Sequence, residues 1–117
     1  MKSRPRILLV SQIPELHYDS LLTNCGFEVV TASSLDQALT VWQPSVFKLV
    51  LVVVDDNIEQ PLEFCAELKK IDPTQGVAFV TGWHTYIPPQ GCPDEIIEQD
   101  YNPALFIRKV TELSQQA

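Results

Sequence analysis

The sequence predicts an α/β protein: a doubly wound, five-stranded parallel sheet in the order 2-1-3-4-5, with helices on both faces. Three observations predict it. Apolar runs of strand length alternate with stretches of helical periodicity along all 117 residues, the pattern of parallel strands joined by helical crossovers. Three of those runs, "RILLV", "KLVLVVV" and "GVAFVTG", are apolar without alternation, as strands buried on both faces are. Two shorter runs, "FEVVTA" and "DEIIEQ", carry Glu28, Glu95 and Glu98, which suits the sheet edges.

The elements follow in chain order. Arg6–Val10 is the first strand, and "SQIPE" is the loop that leaves it. "PELHYDSLLTN" reads as a helix, with Pro14 near its start and Gly26 as its stop signal. Phe27–Ala32 is the second strand. The next helix opens with a capping box from Ser34 to Gln37. Leu35, Ala38, Leu39 and Trp42 recur at i, i+3, i+4 and i+7, so they share one face, and Pro44 ends the helix. "KLVLVVV" is the third strand. Pro61 suits the first turn of "PLEFCAELKKID", whose inner face takes Leu62, Cys65, Leu68 and Ile71. "GVAFVTG" is the fourth strand. Trp83 to Pro93, "WHTYIPPQGCP", holds four breakers in Pro88, Pro89, Gly91 and Pro93. The helix expected after strand four is therefore shortened or replaced by a Pro-rich loop. "DEIIEQ" is the fifth strand, and Asn102 caps a last helix with Pro103 at its first position.

Composition narrows the function classes. The length suits one domain over residues 1–117. A net charge of −7 argues against nucleic-acid binding, which needs a basic footprint. No apolar run reaches about 18 residues, so no membrane span is expected. The basic start, "MKSRPRILLV", reads as a strand and not a secretion signal. Cys25, Cys65 and Cys92 form neither a disulfide framework nor a CxxC zinc pair. Reduced thiols point to the cytoplasm, and Cys25 and Cys65 read as small core residues. His17 and His84 have no carboxylate or cysteine beside them at metal-ligand spacing, so no metal site is expected.

In a sheet of this order the functional crevice lies at the carboxyl ends of the first and third strands. Here that is Ser11, Gln12 and the stretch from Val53 to Asn57. The acidic pair Asp55 and Asp56 stands just past an apolar strand, where it either carries chemistry or ends the strand and caps the next helix.

The pattern "RILLV…PEL…GFEVVTASS…QAL…LVLVVV…LEFCAELKKIDP…VAFVTG…IIEQDYNP" resembles the receiver domain of bacterial two-component response regulators, a flavodoxin-like fold. The likeness runs from about Arg6 to Leu113. It implies a signalling role and five pocket groups: two acids after strand one and an acceptor aspartate ending strand three, which together hold Mg²⁺; a Ser or Thr ending strand four; and a lysine ending strand five. Those positions fall on Ser11, Gln12, Val53, Thr81 and Gln99. Only Thr81 keeps the family residue. Counting forward through "KLVLVVV" and backward from "PLEFC" both give Val53 for the acceptor. Asp55 lies on the same side of an extended strand but roughly 6–7 Å further along.

The resemblance therefore implies a degenerate pseudo-receiver in the phosphorelay class. Its Mg²⁺ site is lost, it has no cofactor and no enzymatic activity, and it acts by phosphorylation-independent contact with a signalling protein or a second copy of itself. Trp83, His84, Tyr86 and Ile87 are the candidate contacts, since loop aromatics favour partner anchoring. One alternative is a receiver that still accepts phosphate on Asp55. A lower one is a flavodoxin-like ligand-binding domain or enzyme, disfavoured because "SQIPEL" has no glycine to cradle a phosphate.

Overall fold

The computed structural model describes residues 5–11, 18–54, 59–81, 94–98 and 103–115. Five strands form one sheet: β1 (Arg6–Val10), β2 (Glu28–Ala32), β3 (Leu49–Val54), β4 (Gly76–Thr81) and β5 (Glu95–Glu98). All neighbours pair in parallel, in the order β2-β1-β3-β4-β5. This is the expected flavodoxin-like order. Four helices accompany it among the described residues: α1 (Tyr18–Asn24), α2 (Leu35–Val41), α3 (Glu59–Ile71) and α4 (Pro103–Gln115).

Strand alternation divides the core in two. Leu8, Val10, Val50, Val52, Val54, Val77 and Phe79 meet Ala38 and Trp42 of α2 and Phe64, Cys65 and Leu68 of α3. Ile7, Leu9, Leu49, Leu51, Val53, Ala78 and Val80 meet Leu22 of α1 and Phe106 and Val110 of α4. Every residue of β3 is buried. Two buried faces are why this strand reads as a continuous apolar run. The edge strand β2 keeps Glu28 exposed, bridged to Arg6 at 3.3 Å.

The helix ends follow local chemistry. α1 closes in a Schellman turn: the Phe27 N–H donates to the Leu22 carbonyl at 3.2 Å and the Gly26 N–H to the Thr23 carbonyl at 3.1 Å. Gly26 takes φ = 96°, a left-handed value that glycine adopts without steric cost. Phe27 and Leu22 then join the same cluster, the apolar contact that accompanies this turn. At α2, the Gln37 N–H donates to the Ser34 hydroxyl at 3.1 Å, as a cap should. The return half of the box differs. Gln37 Oε1 accepts from the Ser33 N–H at 2.6 Å and the Ser33 hydroxyl at 2.9 Å.

Three packing expectations are corrected. Leu39 does not complete the inner face of α2, and is 43% exposed. Ala38 and Trp42 take the sheet-facing side of α2, and Leu39 lies off that face towards α3. Ile71 is 58% exposed, and Phe64 takes its place on the inner face of α3. Cys25 is exposed because it follows the last helical residue of α1 inside the turn, whereas Cys65 is buried as expected.

Two polar clusters hold the amino-terminal end of the sheet. The Trp42 indole N–H donates to Gln75 Oε1 at 2.9 Å. Gln75 Nε2 donates to the Phe47 carbonyl at 3.2 Å and the Gly76 carbonyl at 3.0 Å. Asp94 leads into β5, and its Oδ2 accepts from Lys69 Nζ of α3 at 2.6 Å and the Val77 N–H at 2.9 Å. The Asp94 N–H returns a bond to the Val77 carbonyl at 2.9 Å.

Candidate functional site

The carboxyl edge of the sheet is built by register. Val10 pairs with Val52, so Ser11 arrives beside the end of β3. The Ser11 N–H donates to the Ala32 carbonyl at 3.0 Å, which extends the β1–β2 ladder by one residue. Val53 pairs with Val80, Val54 with Thr81, and Thr81 with Glu98. Ser11, Val53 and Thr81 therefore converge on one edge, as the order of the strands requires. Gln12, Asp55, Asp56 and Gln99 lie outside the described residues.

Val53 is 8% exposed and sits in the apolar cluster with Leu9, Leu51 and Val80, on the α1–α4 side of the sheet. Thr81 is also buried, and alternation puts it on the opposite side, with Val54. Ser11 is half-buried. Of the expected pocket residues that are described, Val53 presents an isopropyl group, and Ser11 and Thr81 each present a hydroxyl. Mg²⁺ is held by hard, mostly anionic oxygen ligands. An isopropyl group and two neutral hydroxyls do not fit it. No group of three or more His, Cys, Asp or Glu side chains converges on a metal-binding arrangement among the described residues.

Behind the edge, the Tyr18 ring stacks on Phe106, with centroids 4.7 Å apart and planes at 29°. Burial pushes the Tyr18 hydroxyl pKa up. This pair joins α1 to α4 in the same apolar cluster as Val53. Trp83, His84, Tyr86 and Ile87, expected as partner contacts, lie outside the described residues, as does the Pro-rich stretch that holds them.

Sequence reasoning passed over Gln75 and the Lys69–Asp94 pair. A buried indole needs an acceptor, so Trp42 was the available signal for Gln75. Nothing in the sequence pairs Lys69 with Asp94, 25 positions apart, before the sheet order is known.

No protein-family model matches the chain, and no curated protein matches it in sequence. Solved structures do match in fold. The response regulator TrrA of Thermotoga maritima, solved with Mg²⁺ and BeF, superposes with a TM-score of 0.81 at 23% identity, covering 93% of this chain and 98% of that one. A CheY-like receiver domain protein of Methanospirillum hungatei gives 0.76 at 24% identity, over 96% and 94%. The receiver domain of a LuxO repressor protein of Vibrio parahaemolyticus gives 0.81 at 16% identity, over 97% and 92%. The chain has the fold of response-regulator receiver domains.

Proposed function

We propose that this chain is a degenerate receiver of a bacterial two-component system that signals by protein contact and not by phosphorylation. The observation that carries the reading is Val53. At the position that the receiver likeness gives to the acceptor aspartate, the side chain is an isopropyl group packed among Leu9, Leu51 and Val80. Ser11, neutral and half-buried, stands where that likeness expects an acid. A phosphoryl group needs a carboxylate to accept it, a metal to offset its charge and a cation to read it. Gln12 and Gln99 in place of the second acid and the lysine extend the loss to all three requirements.

In this reading the chain has no catalytic role and no resident Mg²⁺. It works in the cytoplasm by binding a protein of the same pathway. No helix among the described residues is long and apolar enough to cross a membrane. The net charge of −7 favours basic partner surfaces over nucleic acid.

The test is an amide NMR titration with Mg²⁺ and beryllium fluoride, a phosphoryl mimic. The expected outcome is no saturable shift at Ser11, Val53 or Thr81. Saturable shifts at those three would mean that the pocket still takes a phosphoryl group, with Asp55 as the acceptor to examine first.

A further inference from the structure

The face between α2 and α3 carries a groove of about 510 Å³, which begins near the carboxyl edge at Ser34 and Gln60 and runs down the outer side of the two helices. Leu35 and Leu39 of α2 and Phe64 and Ala66 of α3 line it, and Asp36, Glu63 and Glu67 stand around it. Two features set it apart. Leu39 is the largest exposed apolar side chain of α2, left facing water. Glu59, Glu63 and Glu67 recur at i, i+4 and i+8 on α3, a spacing at which like charges oppose the helix. The ion pairs among the described residues are Arg6–Glu28, Lys69–Asp94 and Arg108–Glu112, so none neutralises Asp36, Glu63 or Glu67.

We propose that the α2–α3 groove docks a basic amphipathic helix of a partner protein. Leucine-type side chains of that helix would cover Leu39 and Leu35, as helices do in apolar grooves. Lysine or arginine stems beside them would lie along the groove walls and set their cations against Asp36, Glu63 and Glu67. The charge of the whole chain would steer such a partner towards the groove. A second copy of the chain is a poorer occupant. Its exposed basic helix face, Arg108 and Lys109 beside Leu105 on α4, would meet the groove head to tail, which gives rings or open filaments and not the two-fold dimer that is the commonest assembly. The proposal rests on the contact-based reading above only in requiring a protein partner. Its test is independent of the phosphoryl pocket, so either can fail alone.

The test is a titration of the ¹⁵N-labelled chain with a designed helical peptide of roughly 15 residues, with leucines along one face and lysines flanking them. A scrambled peptide of equal composition is the control. The expected result is saturable shifts centred on Leu35, Leu39, Phe64 and Ala66, with affinity falling as salt rises. The double variant Glu63→Lys/Glu67→Lys and the separate variant Leu39→Ser should each weaken binding about tenfold or more. Leu39, Glu63 and Glu67 are exposed, and circular dichroism is the check that the variants stay folded. The scrambled peptide should bind as weakly as the variants allow. Shifts centred on α4 and β5, equal binding of the scrambled peptide, or no saturation by about 1 mM peptide would overturn the proposal. So would self-association of the peptide-free chain through the groove, seen in its sedimentation.

Discussion

Trp42 is 6% exposed, and its indole N–H is satisfied only because Gln75 reaches it. Changing Trp42 to Phe keeps most of the apolar area but leaves Gln75 Oε1 buried without that donor. We expect a loss of about 1–3 kcal/mol, read from urea unfolding. Gln75→Leu leaves the buried Trp42 N–H without its acceptor and takes a donor from the Phe47 and Gly76 carbonyls, so it should cost more than Trp42→Phe. Asp72 offers a pH probe. Hydrogen bonds from the Thr74 hydroxyl, at 2.6 Å, and then from its N–H hold the Asp72 carboxyl below the usual carboxylate range. A depressed carboxylate contributes stability above its unfolded pKa and loses it as pH falls through the folded one. Thr74→Val should therefore raise the Asp72 pKa towards its ordinary value in an NMR titration, and shrink the stability lost as pH falls from the unfolded pKa to the folded one. At this scale the sequence was partly legible. Trp42 and Cys65 read correctly as buried because helical periodicity marks them. Ile71 and Cys25 did not, because they fall at the last residue of a helix or just past it, and Leu39 did not, because its side of α2 faces the groove towards α3.

The elements themselves were the most legible part. Proline and glycine punctuate them, and the Schellman turn after α1 shows why: only the Gly26 position takes a left-handed φ there. Gly26→Ala meets no atom within 4 Å, so its cost is conformational alone. We expect about 1–2 kcal/mol, measured by thermal or urea unfolding. The short edge strand β5 depends on a contact that no periodicity shows. Asp94 fastens it to Val77 of β4 and to Lys69 of α3. Asp94→Ala should cost about 1 kcal/mol after solvent screening is allowed for. It should also speed hydrogen exchange selectively at Val77 and across β5. A uniform change across the sheet would mean that Asp94 acts on global stability and not on the edge.

For the whole molecule, sheet order followed from which runs were apolar on both faces, and the structure has that order. The candidate site was legible as a place, the carboxyl edge beside Ser11, Val53 and Thr81, because strand order alone puts those residues together. What the place does was less legible. In the proposed reading it turns on positions beyond the strand ends, such as Gln12, Asp55 and Gln99, whose side-chain orientation strand periodicity does not determine. A lost metal site has a thermodynamic signature: a ligand that binds the folded state raises its melting temperature. Mg²⁺ at about 10 mM should shift the melting temperature no more than a sodium salt of matched ionic strength. The central claim is that the receiver fold is kept without its phosphoryl chemistry. Intact-mass measurement after incubation with acetyl phosphate and Mg²⁺ tests it most directly. An unchanged mass is the predicted result. A phosphoryl adduct of about 80 Da that maps to Asp55 and vanishes in Asp55→Asn would contradict it.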